Sequence, residues 1–302
     1  MQISEAWLRE WCNPPWNSRE LAERLTMGGF EIEGRATAAP PFDNVVVGRV
    51  LESVRHPNAD KLSLCTVTTD GSNRLSIVCG APNARASLTV AVALPGAVLP
   101  GGVQIKLARV RDVESQGMLC SARELGMGEE SDGILELPLE LPLGKSVREA
   151  LQLDDQILQV NVTPNRGDAL SVRGLAREVA ALSQVALTHE RAEPVAPQLS
   201  DQFTVRLSAP QCCPKFTSRV IRGVNARAPS PSWLRERLRR AGLRSIDPIV
   251  DVTNYTMLEW ARRCTRMTWP SSSPPSMCAS LAAASSSRCW TVSRWSLIHR
   301  CW

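Results

Sequence analysis

Hydrophobic residues in about the first forty positions recur with the spacing of short amphipathic helices. Ser4 precedes the first pattern and Ser18 the second, and each hydroxyl is predicted to cap its helix. Gly28 follows the second pattern and is predicted to end that helix. Helices this short cannot form a core by themselves, so a packing partner is expected elsewhere in the chain. The predicted inward-facing residues are Trp7, Leu8, Trp11, Leu21, Ala22 and Leu25.

Residues 45–115 change to the alternating pattern that is typical of β-strands. Clusters of Gly, Pro, Asn and Asp separate the runs, as expected for tight turns. Several short strands in this length are typical of a small barrel such as the OB-fold, although an immunoglobulin-like sandwich gives a similar pattern. The predicted strands are VVVGRVLESV, KLSLCTVTT, RLSIVCG, SLTVAVAL and VQIKLARVR.

A helical pattern returns after Ser171, which is predicted to cap a helix with Val172, Leu175, Val179 and Leu182 on one face. This helix is the natural packing partner for the N-terminal pair. The barrel is therefore predicted to be an insertion within a split helical domain.

A further domain is predicted from Phe203 onward. It opens with the strand-like runs FTVRLS and FTSRVIRGV, and the helical run SPSWLRERLRRAG follows. Ser230 is predicted to cap that helix, Pro231 to be its first residue and Gly242 to end it.

The charge balance argues against a chain-wide basic field for nucleic acid. The 302 residues carry a net charge of +5, but residues 261–302 contain six arginines and no acidic residue. The remaining 260 residues hold 29 basic and 30 acidic side chains (35 − 6 against 30). Contacts with RNA are therefore expected from local patches.

Cysteine and histidine usage gives no sign of a zinc site. The cysteines before residue 261 contain no C-x-x-C pair, and the chain has three histidines. The N-terminus MQISEAWLREWC lacks a long apolar run, so neither a signal peptide nor a membrane anchor is expected. Free cysteines without a signal peptide favour the cytoplasm.

The segment HPNADKL places His56, Asn58, Asp60 and Lys61 around one turn. Such a loop on a barrel rim is suited to holding a phosphate and a base edge. Alternatively, Pro57-Asn58 is simply good turn chemistry.

The segment IVCGAPNAR ends a predicted strand at Gly80 and leaves Arg85 exposed after a turn that contains Asn83. Gly80 permits close approach of the backbone to a ligand, and Arg85 is suited to a phosphate. A plain hairpin turn is the alternative. Cys79 is interpreted as a small buried strand residue rather than a reactive thiol.

Two later segments combine polar side chains with apolar runs. In VNVTPNRGDALSV, an Arg166–Asp168 pair is expected to lock a turn before a helix, with phosphate binding by Arg166 as the alternative. In DPIVDVTNYTMLE, Thr253 and Asn254 lie near an apolar run interpreted as buried strand, where they either orient a small polar ligand or bond the strand end.

Together and in this order, these segments strongly resemble the N-terminal part of the bacterial phenylalanyl-tRNA synthetase beta subunit. HPNADKL alone is not decisive, because it also occurs in free-standing tRNA-binding barrels, but the ordered set is specific. The resemblance covers residues 3–259. The matching segments are SEAWLREWCNP, LAERLTMGGFEIE, VVVGRV, HPNADKL, IVCGAPNAR, GMLCSARELG, DGILELP, VNVTPNRGDALSVRGLAREVAAL, SPSWLRERLRRAGL and IVDVTNYTMLE.

The resemblance implies a multidomain α+β protein. An OB-fold tRNA-binding barrel at 40–148 would be inserted in a split α+β domain formed by 1–39 and 149–195. Residues 200–260 would begin an α/β editing domain of the B3/B4 type, truncated here, with Thr253 and Asn254 on editing-site positions. The resemblance implies tRNA binding through the residues named in HPNADKL and IVCGAPNAR.

The function implied is that of a truncated phenylalanine–tRNA ligase beta subunit, part of an aminoacyl-tRNA synthetase. In that family two alpha and two beta chains assemble, and the alpha chain holds the ATP and phenylalanine pocket. ATP and Mg²⁺ are therefore expected for the intact synthetase, while no cofactor, metal ligand or catalytic residue is expected in this chain. The alternative is a free-standing OB-fold module that binds tRNA and has no catalytic role.

The composition changes after Glu259, because residues 261–302 contain no Asp, Glu, Gly or Lys. A one-base shift in a GC-rich, family-like coding sequence reproduces the residues from Glu259 to Trp269. Residues 261–302 are therefore expected to be an out-of-frame, disordered tail, with a basic RNA-stacking tail as the alternative. By the resemblance, the family histidine would fall at Thr265 and the rest of the editing domain is absent, so we expect no editing. The later beta-subunit regions that the family uses for assembly are absent too, so we expect no stable assembly with the alpha chain and no activity of the chain alone.

Overall fold

The computed structural model of the chain describes residues 1–129, 132–188, 195–201, 204–207, 211, 218–261 and 276–279. It divides into two compact units. The first contains Met1–Glu33 and the described residues of Leu158–Trp302, and the second contains Gly34–Ile157.

The fold mixes α-helices with β-strands, most of which pair antiparallel. The helices are α1 (Glu5–Trp11), α2 (Ser18–Met27), α3 (Val147–Ala150), α4 (Val172–Ser183), α5 (Ser232–Arg240) and α6 (Pro248–Trp260), with a 3-10 helix at Pro164–Ala169. The strands are β1 (Gln2–Ser4), β2 (Ile32–Thr37), β3 (Val45–Arg55), β4 (Ser63–Thr68), β5 (Leu75–Cys79), β6 (Thr89–Ala93), β7 (Val98–Leu99), β8 (Val103–Gln104), β9 (Ala108–Val110), β10 (Val113–Ser115), β11 (Met118–Leu119), β12 (Glu136–Leu137), β13 (Gln156–Val160), β14 (Thr204–Leu207) and β15 (Ser276–Ala279).

The helix caps of the first unit mostly follow the sequence. The prediction for Ser4 is confirmed, because its hydroxyl accepts a hydrogen bond from the Trp7 backbone N–H at 3.1 Å. The prediction for Ser18 is wrong, since Asn17 caps α2 and forms a reciprocal capping box with Glu20. A carboxamide accepting two backbone N–H groups satisfies more of the helix end than a hydroxyl one residue later.

The core of the first unit lies between α1, α2 and α4. Ser171 caps α4 as predicted, and Leu175 and Val179 are fully buried. Leu182 is 41% exposed, so its predicted place in the core is wrong. The position falls in the last turn of α4, close to the point where the helix ends at Ser183.

Helix α6 corrects the interpretation of residues 247–259 as strand. Asp247 caps this helix by accepting from the backbone N–H groups of Ile249 and Val250, each at 2.9 Å. An Asp-Pro start followed by apolar residues at helical spacing is a helix signal, and it outweighs the β-branched composition. The adjacent helix α5 begins at Ser232, one residue later than predicted, and Ser230 instead donates to Asp251.

Aromatic and charged contacts hold α5 and α6 within the first unit. Trp7 stacks on Tyr255 with ring centroids 5.3 Å apart. Arg237 forms an ion pair with Glu10 at 2.6 Å and donates to the Tyr255 hydroxyl at 3.1 Å. Planar guanidinium and aromatic groups gain both stacking and hydrogen bonds in this arrangement.

The second unit is built around a nearly closed antiparallel sheet. The strand order is β11-β6-β3-β4-β5, and β12 pairs with β6. Gln116, just before β11, donates from its backbone N–H to the Ser76 carbonyl on β5 at 2.8 Å, and Ser115 accepts from Val78 at 3.1 Å. These bonds bring the two edges of the sheet together, so the interior becomes a barrel core.

The first four predicted strands are confirmed as β3, β4, β5 and β6. The fifth, VQIKLARVR, is wrong as a single strand, because it divides between two small hairpins, β7–β8 and β9–β10. Its alternation has no continuous buried face, because Ile105 is buried but Val103 and Leu107 on either side are 55% and 63% exposed. The edge positions beside β6 belong to β11 and β12.

The remaining described segments are short. β1, β13 and β2 form a sheet in that order, and β14 pairs with β15 in parallel. The strand predicted in FTSRVIRGV is wrong for its described residues, 218–224, which form no strand. Of the predicted tail at 261–302, only residues 261 and 276–279 are described, and the remainder lies outside the described residues.

Candidate nucleic-acid interface

In the loop after β3, His56 is buried and forms hydrogen bonds within the barrel unit. The imidazole is 3% exposed, and its Nδ1 accepts from the backbone N–H of Asn58 at 3.0 Å. Its Nε2 therefore carries the proton and donates to the Val110 carbonyl at 3.2 Å. Both ring nitrogens are used within the barrel unit, so His56 lies behind the loop surface.

The other predicted residues of this loop lie at the surface. The Asn58 amide donates to the Arg111 carbonyl at 3.1 Å. Asp60 forms an exposed ion pair with Arg55 at 2.5 Å. Lys61 is exposed and has no ion pair among the residues that the structure describes. Lys61 is therefore the cation of this loop that is free to meet a phosphate.

The loop after β5 places Asn83 and Arg85 against the segment before β12. Asn83 accepts from the Ile134 N–H at 2.9 Å and donates to the Ile134 carbonyl at 3.0 Å. Arg85 holds both carboxylate oxygens of Glu136, at 3.0 and 3.1 Å. A bidentate pair of this kind neutralises the arginine charge and fixes its orientation.

Gly80 is exposed, and its backbone does not require glycine. A Cβ placed there would meet only the Leu62 Cδ2 atom, at 3.4 Å, which is ordinary contact. Close approach is instead required at Gly133, where an added Cβ would lie 2.5 Å from the Asn83 Oδ1 atom. The loop after β5 therefore requires glycine at position 133, which faces Asn83, and not at position 80.

The β9–β10 hairpin carries cations that sequence analysis missed. Arg109 and Arg111 are exposed, and Lys106 is exposed just before the hairpin. No ion pair of Arg111 occurs in the described part of the chain. Sequence gave little signal here, because the turn residues Arg111-Asp112 lack the glycine or asparagine that marks a two-residue turn.

Thiol chemistry does not contribute to this surface. Cys79 is buried in the barrel, which agrees with its interpretation as a packing residue. A hydrogen bond shared with Cys65, followed by burial, raises the pKa of the Cys79 thiol. Cys79 therefore stays protonated at neutral pH and is a poor nucleophile.

In the first unit, the predicted editing-site residues lie on α6. The Thr253 hydroxyl donates to the Val250 carbonyl of its own helix at 2.8 Å. Asn254 is half-buried and has no side-chain hydrogen bond within the described residues. The fully buried Asp251 accepts from Ser230, Ser245 and the backbone of Ile246, which makes it a structural anchor of this segment.

The turn that resembles a phosphate loop is also locked internally. Arg166 pairs with Asp168 at 3.2 Å and with Glu178 at 2.6 Å. Its guanidinium lies 4.6 Å from the centre of the Phe30 ring. The structural interpretation of this turn is confirmed, because the arginine is held by partners within its own unit.

The described residues show neither a metal cluster nor a membrane-spanning helix. In the residues with described positions, no group of three or more His, Cys, Asp or Glu side chains could hold a metal ion. No described helix combines the length and apolar character needed to cross a membrane.

Comparisons with known proteins agree with this architecture. Residues 45–146 match the tRNA binding domain family, and residues 212–266 match the B3/4 domain. The phenylalanine–tRNA ligase beta subunit of Pectobacterium atrosepticum is 52% identical over 259 residues, which are 86% of this chain and 33% of that protein. The corresponding subunit of Dickeya dadantii is 51% identical over the same shares.

Among solved structures, the MetRS related protein from Pyrococcus horikoshii is 24% identical and aligns with a TM-score of 0.25, covering 34% of this chain and 87% of that one. The barrel is the part of this chain that is similar to the tRNA binding domain family. More particularly, the chain is a homologue of phenylalanine–tRNA ligase beta subunits, and it spans about a third of the length of these relatives.

Proposed function

We propose that the barrel unit of this chain binds tRNA. The observation that carries this proposal is the tRNA binding domain match at 45–146, which falls on the barrel and its cation-bearing loops. Exposed lysine and arginine side chains at a barrel rim supply the phosphate contacts that give RNA affinity.

The finer architecture proposed is an OB-fold inserted in a split α+β domain. The barrel would occupy 40–148, and 1–39 with 149–195 would form the surrounding domain. Residues 200–260 would begin an editing domain, which the B3/4 match at 212–266 supports. We retain the proposal that 261–302 is an out-of-frame tail, with an RNA-binding tail as the alternative.

Within the complete enzyme, the corresponding region would serve the beta subunit of phenylalanine–tRNA ligase in the cytoplasm. The relatives at 52% and 51% identity support this role. The partners would be tRNA(Phe) and the alpha subunit, and ATP with Mg²⁺ would be used by the intact synthetase. For this chain alone, we retain the expectations that it is inactive and that it does not assemble stably with the alpha chain.

The predicted tRNA-binding residues divide by their surroundings. Lys61 and Gly80 are exposed and accessible to RNA, whereas the exposed Asn58, Asp60 and Arg85 and the half-buried Asn83 are all bonded within the unit. His56 would act by shaping its loop. In the first unit, Thr253 and Asn254 would be remnants of the editing site.

A free-standing tRNA-binding module is the second candidate. The observation that favours it is the compactness of Gly34–Ile157, which forms a unit by itself. In that case, tRNA binding would not depend on an alpha subunit, and adding one would restore no aminoacylation.

A filter-binding titration of the full chain with unfractionated tRNA tests the proposed function. We expect binding whose logarithm falls linearly with the logarithm of salt concentration, with a slope of roughly −0.7 to −0.9 for each phosphate contacted. Negligible affinity at low salt, or a flat salt dependence, would exclude tRNA binding. Aminoacylation assays with an added alpha subunit then separate the two candidates, because recovery of charging would favour the synthetase role.

A further inference from the structure

The two-residue turn of the β9–β10 hairpin has an unusual backbone. Val110 pairs with Val113, so the turn consists of Arg111 and Asp112 alone. Both residues have positive φ, 50° and 68°. This left-handed pair of conformations suits glycine, asparagine or aspartate, so Asp112 fits its position, whereas an arginine such as Arg111 rarely adopts it and gains from external support.

The support comes from the loop that contains HPNADKL. The buried His56 donates to the carbonyl of Val110, and Asn58 donates to the carbonyl of Arg111. Two side chains of one loop therefore bind consecutive carbonyls at the strained turn. We call this arrangement the carbonyl clamp. It explains why an imidazole is buried here with both nitrogens bonded, since an unsatisfied buried imidazole would be costly.

The clamp holds a cation at the surface. The side chain of Arg111 is exposed and has no ion pair in the ranges described by the structure. By contrast, Arg55 and Arg85 are paired with Asp60 and Glu136. Asp112 is the acidic neighbour of Arg111 on the same turn, and it reduces the local positive potential.

We propose that Arg111 is a phosphate-contacting residue of the barrel, and that His56 and Asn58 are positioning residues that fix its turn. This inference rests on the proposed binding of tRNA. It differs from a direct role of His56 and Asn58 in RNA contact, because these two side chains would act through the hairpin. Fixing an arginine before binding removes part of the ordering cost at the interface.

The test uses the full chain, unfractionated tRNA and a salt titration by filter binding. Arg111→Ala should weaken binding roughly tenfold and reduce the magnitude of the salt slope by about 1. The matched control is Lys145→Ala. This exposed cation adjoins Val47 near the start of β3, whereas His56 follows the end of that strand. The control should change affinity less than about twofold.

The positioning role is tested by Asn58→Ala, which alters no charge. It should weaken binding about threefold to tenfold, with unfolding in urea used to confirm that the barrel remains folded. Asp112→Gly should restore more affinity in the Asn58→Ala background than it adds to the unmodified chain, because glycine adopts the left-handed conformation without support.

The outcomes are distinct. If the unmodified chain binds tRNA and Arg111→Ala leaves affinity and slope unchanged, the inference is wrong while the proposed function stands. If Asp112→Gly adds the same factor in both backgrounds, the clamp has no positioning role. A chain that does not bind tRNA at all removes the proposed function and the inference with it.

Discussion

The loops after β3 and β5 contain the same turn residues, but they place their neighbouring arginines in opposite electrostatic environments. Each contains a Pro-Asn pair, Pro57-Asn58 in one and Pro82-Asn83 in the other. Asn58 bonds a carbonyl in a turn whose arginine is free, whereas Asn83 bonds the segment that carries the partner of Arg85. The first loop supports the exposed Arg111, whereas at the second loop an ion pair with Glu136 neutralises the charge of Arg85.

The comparison teaches that turn residues alone do not identify a contact surface. Asparagine serves both loops because its amide can donate and accept at once. The two loops differ in the segment to which each is hydrogen-bonded. That segment is distant along the chain in both cases, 53 residues from Asn58 to Arg111 and 51 residues from Asn83 to Ile134. The distinction is therefore a property of the fold.

The largest expected effect is on stability, from Asn83→Ala. The substitution removes bonds to both backbone groups of Ile134 and to Glu136. We expect a loss of about 2–3 kcal/mol in the free energy of unfolding, because two backbone groups lose their partner. Urea denaturation measures this. Asn73→Ala, at an exposed turn, is the control, and an equal loss in both variants would contradict the structural role of the second loop.

Glu136→Gln should have a smaller effect on stability and an opposite effect on binding. The amide oxygen can still accept from Asn83, but the ion pair with Arg85 is lost, which costs up to about 1 kcal/mol for an exposed pair. Release of Arg85 and removal of a negative charge should tighten tRNA binding roughly threefold. Filter binding checks this, and weaker binding would be incompatible with neutralisation of the second loop.

The turn between β4 and β5 is expected to make the free energy of unfolding depend on pH. Backbone N–H donation from Asn73 and then Ser72 lowers the pKa of Asp70 from 3.8 to about 2. Because the folded pKa is the lower one, this stabilisation is present above about pH 4 and disappears as the pH falls towards 2. Asp70→Asn should lack that part of the acid dependence when unfolding is followed against pH. Identical profiles for the two proteins would contradict it.

Gly80→Ala should have the smallest effect. The added methyl group meets one side-chain atom at ordinary distance, so the free energy of unfolding should change by less than about 0.5 kcal/mol. Affinity for tRNA should stay within about twofold. A larger loss of binding in a stably folded variant would mean that the backbone at Gly80 approaches RNA closely, as the sequence pattern suggested.

The sequence predicted elements whose signals are local. Strands β3 to β6 are short runs rich in apolar and β-branched residues between turn residues, and the caps at Ser4 and Ser171 stand directly before apolar helical patterns. The cap at Asn17 was missed because the adjacent Ser18 is also a favoured capping residue. The reciprocal hydrogen bonds between Asn17 and Glu20 make Asn17, rather than Ser18, the cap of α2.

The hairpin and its arginine could not be predicted from sequence. Alternation in VQIKLARVR indicated one strand, but Ile105 alone is buried there, between exposed Val103 and Leu107. The turn at Arg111-Asp112 carries no glycine, and the carbonyls of Val110 and Arg111 bond His56 and Asn58, which are distant in the chain. Long-range support of this kind replaces the local signal on which sequence prediction depends.

Photochemical cross-linking of tRNA to the full chain, followed by mapping of the modified peptides, tests the central claim most directly. The account predicts cross-links in the β9–β10 hairpin around Arg111 and in the exposed part of the first loop at Lys61. Cross-links concentrated at Asn83 and Arg85, with none in the hairpin, would contradict it.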